Sequence, residues 1–279
     1  MRKAPSYPYV WRLPLLIWQG LFFVGPLILM VAMSFWLVRN YRMEPDFILD
    51  NWERMLTRSY FWNAYWVTLV RAVLTAILAS LIAFPASYAL AFKMSETTRR
   101  WAIFCLIVPF FTSYLVRVYA WQVLLAESGP VNAILGHVGL GPFIMLNSGV
   151  GAMIGYLTLT LPLVVILQTF SLASIDRNLI EAAWNLGASP KATLFTVILP
   201  GARIGLIIGA TFAFILSFGD FVSPFYLGGS KPPTLSILII DTTKSGQQWP
   251  RAAVVAIMMI VTLFVVAFAA IGAAYRKSK

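Results

Sequence analysis

Few residues in this 279-residue sequence are of a type that could do chemistry, and most of those stand alone. The one histidine, His137, has no second His or Cys at ligand spacing, and no HExxH or CxxC occurs. The one cysteine, Cys105, lies inside an apolar run and can form no intramolecular disulfide. No metal site and no activated nucleophile is expected. Two places remain. The first is Asp220, the only acid within a long apolar run, where an ionisable group costs roughly 2.5–3.5 kcal/mol on insertion scales and is a functional candidate by default. On a continuous helix Ser217, Asp220, Phe221 and Pro224 would share one face, and an anion flanked by aromatics suits a cation through ion pairing and cation–π contact. The second is residues 181–200, "EAAWNLGASPKATLFTVILP", where Glu181, Gly187, Ser189-Pro190 and Lys191 interrupt two hydrophobic runs. Those residues point to recognition rather than catalysis, with a carboxylate for a basic partner, two alanines for close approach and a glycine for a sharp turn.

The elements that position these residues follow from composition. A chain that is 60% hydrophobic and 11% charged has too little polar surface to coat a soluble globule. Apolar runs of about 20 residues are needed to cross ~30 Å of hydrocarbon, and six occur, at about 13–37, 64–92, 101–125, 150–170, 205–227 and 252–275. In that medium they must be helices, since unpaired backbone groups cost several kcal/mol there. The expectation is an all-α integral membrane protein, one domain over 1–279, with lipid around it. The first run is longer than a signal peptide's apolar region and is read as retained, although Ala32 to Ser34 leaves cleavage open. Prolines 26, 85, 109 and 162 fall inside the runs and predict kinks.

Six spans place both termini on one side. With them lie twelve basic residues, among them Arg2, Lys3, Arg12, Arg276, Lys277 and Lys279, against three acids; the other side has seven basic residues against six acids. The positive-inside rule then makes the termini and the 171–204 loop cytoplasmic. The net charge of +11 is thus carried by loops, with no nucleic-acid partner implied.

Residues 171–204 read as two short helices. Ser174 is the expected cap of the first, and Leu179, Ala182, Ala183 and Leu186 share its apolar face. Gly187 fits the left-handed position that ends a helix; Ser189 and Pro190 then start another, which Pro200 closes. A rigid elbow of this kind suggests a docking partner, while an amphipathic hairpin lying on lipid headgroups is the alternative.

This stretch resembles the EAA loop of the membrane subunits of ATP-binding-cassette (ABC) importers. The matching residues are Glu181, Ala182, Ala183, Gly187 and Pro200, with Ala188, Ser189 and Pro190 forming the turn between. Three further stretches, "PFFTSYLVRVYAWQVLLAESGPVNAIL", "FGDFVSPFYLGG" and "QQWPRAAVVAIMM", are similar to the spermidine/putrescine branch of such permeases, and the likeness extends over residues 10–275. Arg177 departs from the branch, which more often has Pro after "ID". The resemblance implies the six-helix type I ABC importer permease fold in a bacterial inner membrane. It further implies three partners: a second related permease subunit, a cytoplasmic ABC ATPase dimer that uses ATP and Mg, and an extracytoplasmic substrate-binding protein. This chain itself has no GxxxxGK[ST] loop and needs no bound cofactor. The implied cargo is a polyamine, with opines, amino-acid derivatives, phosphonates and metal chelates as alternatives.

Other assignments stay open. Asp220 could contact substrate, or could pair with Arg71 or Arg117 to hold helices together. Tyr114, Tyr119 and Trp121 fit an interfacial belt as well as a substrate path. Gly205 and Gly209 form a GxxxG that permits close helix contact, with a partner interface as one use. An ATP-independent carrier and a membrane enzyme are the competing functions; the first has no use for an elbow, and the second lacks an acid–base constellation.

Overall fold

The computed structural model describes residues 7–275. Arg2, Lys3, Arg276, Lys277 and Lys279, which entered the orientation count, lie outside the described residues. In chain order the helices are α1 (Arg12–Met33), α2 (Asp50–Leu56), α3 (Ser59–Lys93), α4 (Glu96–Phe111), α5 (Tyr114–Leu125), α6 (Pro130–His137), α7 (Gly149–Ala173), α8 (Arg177–Asn185), α9 (Pro190–Gly219), α10 (Val222–Tyr226), α11 (Leu235–Lys244) and α12 (Trp249–Tyr275). Among the described residues α1, α3, α7, α9 and α12 are long and apolar enough to cross a membrane. The helical stretches Glu96–Phe111 and Tyr114–His137, bent by 94°, make a sixth span if counted as one.

Three expected spans differ from the structure. The first ends at Met33 rather than 37, because Ser34 turns its hydroxyl back to the Val31 carbonyl (2.7 Å) and a hairpin follows. That hairpin, β1 (Leu37–Arg39) with β2 (Arg42–Glu44), turns through Asn40 and Tyr41 at φ 48° and 62°, the left-handed pair of a tight two-residue turn. The third span is broken at Thr112 and Ser113, both extended. The fifth starts earlier, at Pro190, and breaks at Asp220.

Proline explains two wide turns. Pro26 and Pro200 would each clash with the carbonyl four residues back, and those carbonyls, of Phe22 and Thr196, lie in wide turns at Gly20–Val24 and Leu194–Ile198. Pro200 therefore does not close the helix after the elbow, as the sequence suggests; the helix runs on to Gly219.

The described residues pack as two compact units. In the first, made of residues up to Trp62 with Leu238–Ile260, Asn51 donates to the carbonyls of Ser34 (3.1 Å) and Trp36 (2.8 Å), and Phe35 stacks on Phe47. The second holds Asn63–Ile237 and Val261 onward. Here α7 is the central helix. Ala79, Ala83, Leu90, Val164, Val165 and Ala213 interlock α3, α7 and α9. Ser87 donates to Val165 O (3.1 Å) and Gln168 to Ser80 O (3.2 Å), so α3 is fastened to α7 by polar as well as apolar contacts.

The GxxxG pair is used inside this unit. A Cβ on Gly205 would collide with the Ser171 side chain, which instead donates to Ala202 O (3.0 Å), and one on Gly209 would touch Val164, Gln168 and Leu167. These glycines bring α9 against α7, so they are not free to serve a partner. Gly205→Val should lower the melting temperature of the purified protein, at about 1–3 kcal/mol for overpacking. Gly272→Val, with nothing within 4 Å of its Cβ, should not; thermal unfolding in detergent measures both.

Candidate functional site

The elbow is built by two local capping devices. At the end of α8 the Ala188 N–H donates to Ala183 O (2.9 Å) and the Gly187 N–H to Trp184 O (2.9 Å), while Gly187 has φ +81°. This is the paired-bond glycine ending, with the left-handed residue where the sequence places it. Ser189 then caps α9, accepting from Ala192 N–H (3.2 Å), with Pro190 as first helical residue. The start of α8 differs from expectation. Its cap is Asp176, which accepts from Asn178 N–H (2.9 Å), whereas Ser174 ends α7 and donates to Ser171 O (2.8 Å).

What anchors the elbow is Ile180, buried with Ala91, Leu172, Ile198 and Ala202 against α3, α7 and α9. The stripe of Leu179, Ala182, Ala183 and Leu186 is largely turned outward: Leu186 is 88% exposed and Leu179 57%. Glu181 edges a shallow crevice of ≈ 160 Å³ with Tyr88, Phe92, Arg177, Ile180, Trp184 and Ile198. A bracket with a rigid inner face and an exposed apolar outer face has room for a docking partner.

Asp220 lies at the other end of α9, about 45 Å from the elbow at ~1.5 Å per residue. Its backbone is extended (ψ 128°), and its side chain completes the break. Oδ1 accepts from Val222 N–H (2.8 Å), and Oδ2 accepts from Ser223 N–H (3.2 Å) and the Tyr114 hydroxyl (2.7 Å). The Ser223 hydroxyl also donates to this carboxylate and touches the Tyr114 hydroxyl. Asp220 is 8% exposed and Ser223 fully buried. Ser223 can sit so close to α7 because residue 155 is Gly: a Cβ there would lie 2.7 Å from the Ser223 Cβ.

The structure thus brings Asp220 and Tyr114 together, and Arg117 joins them with its guanidinium 5.5 Å from the Tyr114 ring centre and NH1 3.5 Å from Thr158 O. Neither Arg117 nor Arg71 forms an ion pair with Asp220. Ser217 is turned away, donating to Ala213 O (2.7 Å) in its own helix, and the break removes the single helical face on which it was placed with Asp220, Phe221 and Pro224. Phe221 packs on Phe225 (4.9 Å) and Tyr119 on Tyr226 (5.3 Å), while Trp121 is half-buried on α5. Ser223 and Gly155 were missed by sequence reasoning. Ser223 had a signal, a hydroxyl three residues after an acid, as in a helix start; Gly155 had none.

No protein-family profile matches the chain. It is similar to the inner membrane ABC transporter permease protein YdcU of Escherichia coli K12, 29% identical over 228 residues, which are 76% of this chain and 72% of the relative. It is also similar to the spermidine/putrescine transport system permease protein PotB of Haemophilus influenzae, 28% identical over 90% of this chain and 88% of that one. Among solved structures, a bacterial ABC transporter involved in the import of the acidic polysaccharide alginate matches with TM-score 0.75 at 18% identity, covering 98% of this chain and 96% of that one. The likeness shows the fold, an all-helical membrane protein of five or six candidate spans similar to type I ABC importer permeases.

Gly187→Ala adds a Cβ that meets nothing, so its effect isolates the left-handed backbone, at roughly 1–2 kcal/mol. Amide hydrogen exchange across 177–193 should quicken by about 5–30-fold by that penalty, with the global melting temperature unchanged.

Proposed function

We propose that this chain, an ABC transporter permease subunit by its relatives and its fold, passes a small organic solute through a bacterial inner membrane as part of a binding-protein-dependent importer. Permease subunits of this kind are non-catalytic transmembrane components. ATP and Mg are used by a cytoplasmic ATPase dimer, the solute is delivered by an extracytoplasmic binding protein, and a second, related permease subunit completes the pathway. Both termini and the elbow face the cytoplasm. The observation that carries this reading is the elbow itself: α8 and its Gly187 turn, held from within by Ile180, expose Leu179 and Leu186 outward and lead directly into α9.

The proposed cargo is a polyamine such as spermidine or putrescine. Support comes from relatives of similar length that carry that name. A second reading has its own support. Arg117 Nε and Arg71 NH1 are buried without hydrogen-bond partners, and the Asp220 carboxylate already accepts four hydrogen bonds. Spare guanidinium donors favour a solute that carries an anionic group, such as an amino-acid derivative, an opine or a phosphonate.

The subunit alone should move nothing in proteoliposomes, while the complex with ATPase, second permease and binding protein should give ATP-dependent uptake. ATP-independent flux by this chain alone would overturn the proposal. Leu186→Glu, which places a charge at an exposed apolar position, should cut ATPase co-purification at least tenfold without changing the melting temperature. A thermal-shift panel on the binding protein decides the cargo: stabilisation by spermidine or putrescine supports the polyamine reading, and stabilisation by carboxylates or phosphonates alone supports the second.

A further inference from the structure

We propose that the Tyr114–Asp220 hydrogen bond is a latch: it joins two helix breaks so that α5 and α10 move as one body, a gate at the end of the bundle away from the elbow. The inference rests on the transport reading.

The two breaks face each other. The third span breaks at Thr112 and Ser113 (ψ 144° and 127°) and turns by 94°, and the next residue, Tyr114, opens α5. The fifth span breaks at Asp220, and α10 opens two residues later. Tyr114 and Asp220 are therefore each at the root of the segment beyond a break, and their side chains hold the two roots together at 2.7 Å. Each break is weakly bridged by backbone, through Thr112 N–H to Pro109 O (3.3 Å) in one and Asp220 N–H to Ser217 O (3.4 Å) in the other. Both have the form of hinges.

Beyond the hinges α5 and α10 are tied again. Gln122 Nε2 donates to Tyr226 O (2.8 Å), and the Tyr119 and Tyr226 rings meet edge to face at 5.3 Å. With the latch this makes three attachments between the same two short helices. Against α7 the attachment is of another kind. There α10 and Leu227 pack into the gaps left by Gly151 and Gly155, with one long backbone bond at the edge, Ser148 N–H to Leu227 O (3.3 Å). With hydrogen bonds and a ring contact on one side and packing on the other, α10 parts from α7 more readily than from α5. Asp220 and Tyr114 are accordingly positioning residues. Their bond is made in this arrangement and stabilises it against any other, and loss of a hydrogen bond to a charged group shifts such a two-state balance by about 10- to 100-fold.

The test uses the assembled transporter. Tyr114→Phe keeps the ring beside Arg117 and removes only the hydroxyl. ATP hydrolysis without binding protein should rise about tenfold or more, solute moved per ATP should fall, and KM for the solute should stay within twofold. Adding Asp220→Asn, which keeps an acceptor for the Val222 N–H, to Tyr114→Phe should raise that uncoupled rate no further. A raised KM with unchanged basal hydrolysis would overturn the latch and mark these residues as solute contacts. A cross-linking arm stands apart from those variants. In a Cys105→Ser background, Gln122→Cys and Tyr226→Cys joined by a short bis-maleimide should leave uptake intact, whereas Ala152→Cys joined to Leu227→Cys should stop it. Arrest by the first pair would refute a common body even if Tyr114→Phe failed to assemble. A wild-type complex whose ATPase ignores the loaded binding protein would instead overturn the transport reading, and the latch with it.

Discussion

The constraint on which this structure depends is that hydrocarbon offers no hydrogen bonds to a broken helix. Every interruption of a span must be satisfied from within the protein, and the way each one is satisfied distinguishes a tolerated kink from a built joint. The wide turns beside Pro26 and Pro200 belong to the first kind: the backbone widens by one residue and the helix goes on. The break at Asp220 belongs to the second. Its carboxylate takes the first N–H groups of α10, Val222 and Ser223, and so replaces the carbonyls the helix no longer supplies. The acid that stands out in the sequence as costly is there in part because a backbone break needs a strong acceptor.

That carboxylate has capacity to spare, which gives it a second role. Two of its bonds close the break and two come from hydroxyls, Tyr114 and Ser223, so one side chain caps a short helix and reaches a different span. The Gly155 gap on α7 lets Ser223 lie close enough to take part.

Legibility from sequence followed the range of the interaction. Gly187 and the Ser189-Pro190 start were readable because a cap is decided by a few consecutive residues. Asp220 was readable because one charge in an apolar run is conspicuous. The partners of Asp220 were not, since Tyr114 and Gly155 lie 106 and 65 positions away and only tertiary packing brings them in. The same limit explains the GxxxG, whose pattern indicated close contact without saying with which helix. Local rules also failed where two competed. Ser174 and Asp176 can both cap, and the residue directly before the helix, a carboxylate, does so. Pro200 is a helix stop by its own chemistry, yet a widened turn ahead of it absorbs the clash.

The placement of stiffness along α9 bears on how the two ends of this helix are connected. From Pro190 to Gly219 the helix is unbroken, and it is seated on α7 through Ala202, Gly205 and Gly209, with Ser171 bonded across. At one end the elbow is clamped by Ile180 and Ile198 into the same cluster as α3 and α7. At the other, α9 stops and the bonding passes from backbone to side chains. A displacement at the elbow has few places to dissipate along such a rod, because close packing resists small continuous shifts and favours discrete rearrangement. It would emerge where the regular backbone bonding first gives out, at Asp220. In the transport reading, this is why the docking surface and the joint lie at opposite ends of one helix: the stiff part carries the motion, and the interrupted part turns it into a change of arrangement.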